Sequence, residues 1–345
     1  MATAILTPFR AAALGAALAS FLLPCCTDAS TASVQEPSPN SSAPSKGVPA
    51  REVVIRYRAH TGAIRKAYVR FPGWYGDGRR PALALVISPH GRGRDGRSNS
   101  HLWGDLPSIG GFAVVSPDGQ GNVLPTMSWG AAGQIDDLAR MPAIVARALP
   151  ELRIDTKRIY AFGGSMGGHE TLLLVARHPR LLAGAASFDG VSDFALQYRN
   201  FPQLRCNAVC REVWDGPIGE GLQTLAREEL GGSPETAPIA YASRSAITQA
   251  RAIARSCVPL QIWWSTADLI VRDSNRQSGH LLALVQRLNP RAPAEGFVGR
   301  WIHTASFRST SRLPFALARF GLMPRSFGSK PPALRHRAAR GACAA

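Results

Sequence analysis

Residues 159–179, "IYAFGGSMGGHETLLLVARHP", constrain this chain more than any other stretch. An apolar run of strand character passes through one serine flanked by four glycines and emerges with helical periodicity. The segment Gly163-Gly164-Ser165-Met166-Gly167 fits G-x-S-x-G, with a strand before it and a helix after it. Glycines suit such a corner because neighbouring backbone leaves no room for a Cβ. A tight turn alone would ask nothing of the serine. A strand that ends in this corner, however, holds the Ser165 hydroxyl where a nucleophile would sit.

The remainder of the chain repeats the alternation of strand and helix. "EVVIRYR" (52–58) and "AIRKAYVRF" (63–71) read as two strands turning at "HTG", an antiparallel start. "ALALVIS" (82–88), "FAVVSP" (112–117), "LLAGAASFD" and "VPLQIWWS" (258–265) are short apolar runs of the buried-strand type. Residues 134–149 carry Ile135, Leu138, Met141, Ile144 and Val145 at helical spacing, and 273–288 also reads as helical. This pattern predicts an α/β fold with a mostly parallel central sheet and helices on both faces. Residues 191–256 break the rhythm and are expected to form a small lid over the sheet's carboxyl edge, where such sheets place their sites.

A serine hydroxyl needs a base, and the base needs an orienting acid. Asp268 follows the strand "LQIWWS" and His303 follows the apolar stretch "GFVGRWIHT", so both are expected at strand ends beside Ser165. Asp189 and Asp193, after the strand that follows the serine helix, are rival acids. Among other histidines, His60 lies in the first hairpin, His178 ends a helix, His280 sits within one, His336 is near the end, and His169 is too near the serine in sequence. His101 borders the region. The oxyanion of an attacked carbonyl needs two backbone N–H donors, for which Met166 and Arg92, in "PHGRG" (89–93), are the candidates. Neither a P-loop nor a dinucleotide fingerprint is present, and no cofactor or metal is implied. Cys206 and Cys210 lack the second pair of ligands a zinc site would want.

The beginning of the chain carries Arg10, an apolar run from Ala11 to Leu23, and small residues suited to cleavage after Ala32. It reads as an export signal (1–32), with Cys25 or Cys26 as an alternative lipid-anchor position. Residues 33–50 are Pro/Ser-rich and read as a disordered tether. The formal charge is +17, with 40 Lys and Arg against 23 Asp and Glu. No nucleic-acid motif accompanies this charge, so no nucleic-acid partner is expected. From Ser311 onward there are seven cations and no acid. Residues 324–345 read as a basic flexible tail that could touch anionic polymers of the cell envelope. Export permits disulfides, expected among Cys206, Cys210 and Cys257, with Cys343 free in the tail.

"GGSMGGHETLLLVARHPRLLAGAASFDGVSDF" resembles the catalytic domain of the prolyl oligopeptidase family, within the α/β-hydrolase superfamily. "ELGGSPETAPIAYASRSAITQARAI" is similar to the stretch before the acid strand in those enzymes, and "PHGRG" and "SPDGQG" are similar to exported feruloyl esterases and polyhydroxybutyrate depolymerases. The resemblance spans roughly residues 80–305 and implies the α/β-hydrolase fold over 51–323. It implies Ser165 as nucleophile, Asp268 as acid and His303 as base. The chain departs from those peptidases in lacking their propeller and in carrying Met166 where a tyrosine is frequent, which favours ester over peptide hydrolysis. An exported serine hydrolase acting on a small-molecule or polymer-borne carboxylic ester is therefore expected. A serine peptidase and a catalytically dead cell-envelope binding protein are the alternatives.

Overall fold

The computed structural model describes residues 47–76, 78–204, 218–329, 334–339 and 343. The signal segment, nearly all of the tether, Cys206 and Cys210 lie outside the described residues. The chain divides into Met1–Ser42 and a unit from Ala43 to Ala345, and every described residue belongs to the second.

Its elements run in the order β1 (Arg51–Arg58), β2 (Ile64–Phe71), β3 (Leu83–Ile87), α1 (Gly96–His101), α2 (Leu106–Gly110), β4 (Phe112–Pro117), α3 (Ala132–Ala148), β5 (Ile154–Gly164), α4 (Met166–Arg177) and β6 (Gly184–Phe188). They continue with α5 (Phe194–Asn200), α6 (Glu220–Leu230), α7 (Pro238–Ser243), α8 (Ala250–Ser256), β7 (Leu260–Ser265), α9 (His280–Leu288), β8 (Ala294–Gly299), α10 (Arg312–Arg319) and β9 (Arg335–Arg337). The strands form one sheet in the order β1-β2-β4-β3-β5-β6-β7-β8-β9. β1 and β2 pair antiparallel, β2 joins β4 antiparallel, and from β4 to β8 every pairing is parallel.

The period of two along each strand sorts side chains between two cores. Leu83, Leu85 and Ile87 of β3, with Ile159 and Ala161 of β5, face a cluster built with α3, α4, α8 and α9. Ala84, Val86, Tyr160 and Phe162 face the other side, where Trp103, Trp263, Phe297 and the α10 residues Leu313, Phe315 and Leu317 pack. Burial on both faces explains why these strands read as continuous apolar runs. Helices packed on both faces of the central strands leave the ends of those strands accessible.

A third cluster joins Val191, Phe194, Tyr198, Phe201, Leu222, Leu230 and Tyr241 to Trp129, Met166 and Val271. The described part of the insertion thus covers the carboxyl edge beside Ser165. Its end differs from the sequence expectation of 256. Ala246, Ala250, Ile253 and Ala254 pack into the first core, under the sheet rather than over its edge.

The flexible tail is corrected for its described residues. β9 pairs antiparallel with β8, the His336 ring stacks on Phe297 at 4.5 Å, and the Arg337 guanidinium lies over Trp264. The sulfurs of Cys257 and Cys343 are bonded, which overturns the expectation of a free Cys343. Phe297 of β8 and Trp264 of β7 offer the two basic residues an aromatic ring on opposite faces of the sheet, and docking carries Cys343 to the end of α8.

Candidate active site

Ser165 lies between the last residue of β5 and the first of α4, at φ 58° and ψ −124°. A Cβ added at Gly163 would fall 2.3 Å from the Gly167 carbonyl oxygen, and one at Gly167 would fall 2.2 Å from that of Pro89. Both distances are far inside contact, so the corner admits glycine alone at these positions. The Ser165 amide donates to Phe188 O at 2.9 Å, tying the strained residue to the end of β6. A serine held at positive φ by its surroundings stands clear of its own backbone.

β7 and β8 are parallel neighbours with Ser265 opposite Gly299, so the loops bearing Asp268 and His303 leave the same edge side by side. Trp301 N donates to Ser265 Oγ at 2.8 Å, and that hydroxyl donates to Trp301 O at 2.6 Å, binding the two loops together. His303 Nε2 is 2.8 Å from Ser165 Oγ, and His303 Nδ1 is 2.7 Å from Asp268 Oδ2. The other oxygen, Asp268 Oδ1, accepts from the amides of Ile270 at 2.7 Å and Val271 at 3.0 Å. An ionised carboxylate only accepts, so Nδ1 carries the ring hydrogen and Nε2 is left as the acceptor facing the Ser165 hydroxyl. Burial disfavours a charged imidazole, but the Asp268 carboxylate, together with its hydrogen bond, outweighs that and Asp189 adds to it. His303 accordingly titrates above its ordinary range, with Arg92 acting in the opposite direction.

Met166 opens α4, where backbone N–H groups and the helix dipole favour negative charge. Arg92 follows β3 and lines the same pocket as Ser165 and Met166. Its guanidinium is buried, which lowers its pKa to about 10. His90 braces this loop: Nε2 accepts from the Gly119 amide at 2.8 Å while Nδ1 donates to Gly91 O at 2.7 Å. A Cβ at Gly91 would sit 3.8 Å from that of Ser165, so any side chain there would point at the serine.

The rival residues have other partners. Asp193 caps α5 through the Leu196 amide at 2.9 Å. His169, on α4, is buried with Nε2 against Arg244 O, and burial lowers its pKa to about 4. His60 and His178 pair with Asp137 and Asp136. His101 ends α1 and is exposed. Asp189 is buried and accepts from Trp301, Thr304 and Ser306.

Sequence reasoning did not find the clamp on the lid. The Glu229 carboxylate accepts from the amides of Asn122, Val123 and Leu124 and from Arg244, fixing α6 to the loop after β4. A glutamate inside an otherwise amphipathic helix gives no signal of this, because its donors are distant backbone amides. The glycines of "SPDGQG" do hint at close approach: a Cβ at Gly121 would fall 2.5 Å from Glu229 Oε2.

A hydroxyl facing an imidazole whose far nitrogen rests on a carboxylate is arranged to lose its proton on attack. Comparison with known proteins agrees with the architecture. A Pyrococcus horikoshii acylaminoacyl peptidase superposes over 79% of this chain and 40% of its own at TM-score 0.57, with 14% identity. A hyperthermophilic esterase from Pyrobaculum calidifontis matches over 81% of this chain and 83% of its own at TM-score 0.56, with 20% identity. A bifunctional acetylxylan esterase/xylanase of Neocallimastix patriciarum is 33% identical over 141 residues, which is 40% of this chain and 20% of that protein. The chain thus spans two fifths of the peptidase and matches a fifth of the xylan-active protein. No family model matches it. These likenesses establish that the chain has the α/β-hydrolase fold, as the sequence resemblance implied.

Proposed function

We propose that the chain is an exported serine hydrolase that cleaves carboxylic esters through an acyl-enzyme. The observation that carries this reading is the hydrogen-bonded chain from Ser165 Oγ through His303 to Asp268. Ser165 Oγ attacks the acyl carbon and its proton passes to His303 Nε2. The tetrahedral oxyanion is held by the amides of Met166 and Arg92. Collapse breaks the bond to the alkoxy oxygen, which leaves with the proton from His303. Water then attacks the acyl-enzyme, again giving its proton to His303, and the acid leaves as Ser165 recovers its hydrogen. Asp268 holds the imidazolium that forms in each half.

The pocket favours a small acyl group. It is lined by Ser165, Met166, Trp129, Val191, Phe201 and Val271 among others, and its lining does not include His303. This pocket beside Ser165 is read as the one that receives the acyl side. The cavity is about 20 Å³, room for one or two water-sized groups. An acetyl group suits that size, and the likeness to a protein named as an acetylxylan esterase supports the same reading. The peptidase likeness supports a second reading, hydrolysis of an acylated or aminoacyl amide.

One assay separates the two. Purified protein should hydrolyse p-nitrophenyl acetate faster than the butyrate or octanoate ester, and aminoacyl p-nitroanilides negligibly. Faster anilide cleavage would favour the peptidase, and no turnover of either class would refute the hydrolase. Export rests on the charged and then apolar start, and an intact Met1 on cytoplasmic protein from the native host would overturn it.

A further inference from the structure

Asp189 does not take the role the sequence offered it. It is not the acid facing the imidazole. It follows β6 at φ 49°, with its amide donating to Trp263 O at 2.8 Å, and only 1% of its surface is exposed. Its Oδ2 accepts from Trp301 Nε1 at 2.9 Å, from the Thr304 amide at 3.0 Å and from Ser306 Oγ at 3.3 Å. Oδ1 is a further 3.2 Å from the same indole nitrogen. These donors bracket His303 in sequence on both sides.

Thr304, next to His303, is itself at φ 58°. A β-branched residue seldom takes that conformation, and it persists only where neighbouring structure enforces it. The bond from the Thr304 amide to Asp189 supplies the enforcement directly. Without a buried acceptor, three donors would also lose their partner inside the protein, a situation native structures avoid.

We infer that Asp189 is a positioning residue for the base of this hydrolase: it holds the 301–306 segment so that His303 reaches both Ser165 and Asp268. This rests on the hydrolase reading above. Three charged groups face His303 from three strand ends: Asp268 after β7, Asp189 after β6 and Arg92 after β3. The two carboxylates favour the imidazolium that forms as Ser165 attacks, and Arg92 opposes it. Burial, and then the nearness of Asp268, raise the pKa of Asp189 itself, while His303, Trp301 and Thr304 hold it down.

The test uses kcat and KM of p-nitrophenyl acetate hydrolysis. Asp189→Asn keeps an oxygen for the donors and removes the charge. Because the oxygen is kept, kcat should fall only roughly 3–10-fold. Asp189→Ala removes the acceptor too, and loosening the base should lower kcat roughly 10–100-fold with KM little changed. Trp301→Phe removes the indole donor but keeps the carboxylate, so kcat should fall modestly with KM little changed. An Asp189→Asn kcat as low as that of Asp189→Ala, or unchanged kcat in Asp189→Ala, would overturn the inference. If the Asp189 variants fail to fold, Trp301→Phe combined with Ser306→Ala carries the test, and kcat equal to that of the unsubstituted protein would overturn it. Absence of turnover in the unsubstituted protein would refute the hydrolase reading and this inference with it.

Discussion

Asp268→Asn isolates the acid's role because the surroundings dictate how the amide must sit. Asp268 Oδ1 accepts from two backbone amides, Ile270 at 2.7 Å and Val271 at 3.0 Å. The asparagine oxygen has to take that place, since an NH2 there would face two donors. Its NH2 then faces His303 Nδ1, which must accept, and the ring hydrogen moves to Nε2. That nitrogen now donates toward Ser165 Oγ and cannot take its proton. The substitution changes no volume and enforces the wrong tautomer. Losing the base in this way should lower kcat about 10⁴-fold, equivalent to about 5 kcal/mol of transition-state stabilisation. The assay is steady-state hydrolysis of p-nitrophenyl acetate, with circular dichroism to confirm folding. A folded Asp268→Asn protein with more than a tenth of the original kcat would refute the reasoning, and Asp189 would have to be reconsidered as the acid.

Glu170, buried on α4 beside Ser128, has its pKa raised to about 7 by burial, against the opposing pull of Ser128, Gln134 and Arg244. A carboxyl raised on folding stabilises fully below its unfolded value of 4.5, and that stability is lost as pH rises towards about 7. Glu170→Gln, which does not titrate, should therefore match the original protein near pH 4.5 and exceed it near pH 8 by up to about 3 kcal/mol in urea unfolding; equal stability near pH 8 would contradict the shift. Cys343→Ser opens a loop closed across 86 residues and should lower stability by about 2–4 kcal/mol. Because the bond lies away from Ser165, kcat of the folded protein should hold, and a melting temperature unchanged by the substitution or by reductant would argue that the bond does not form.

The elements nearest the site were the most legible. The glycines around Ser165 fixed a corner that nothing else could occupy, and continuous apolar runs in β3, β5 and β7 marked strands buried on both faces. Asp268 and His303 were found by one rule, that a side chain just past a parallel strand emerges at the carboxyl edge. What stayed hidden depended on partners remote in sequence. "ARAIARS" shows a helix, but only contact with the first core places it under the sheet instead of over its edge. The docking of β9 required knowing that Phe297 and Trp264, on opposite faces of the sheet, present their rings to His336 and Arg337, and the partner of Cys343 followed from that docking. Asp189 was visible as a carboxylate after a strand. Its donors, an indole, an amide and a hydroxyl more than a hundred residues away, were not.

Covalent capture of the nucleophile tests the central claim most directly. Purified protein is treated with a fluorophosphonate, activity on p-nitrophenyl acetate is followed, and the adduct is located by peptide mass spectrometry. The expected result is one adduct per chain, on Ser165, formed in step with the loss of activity and absent from Ser165→Ala. An adduct on another residue, or full esterase activity in protein stoichiometrically modified at Ser165, would contradict the assignment of this corner as the catalytic nucleophile.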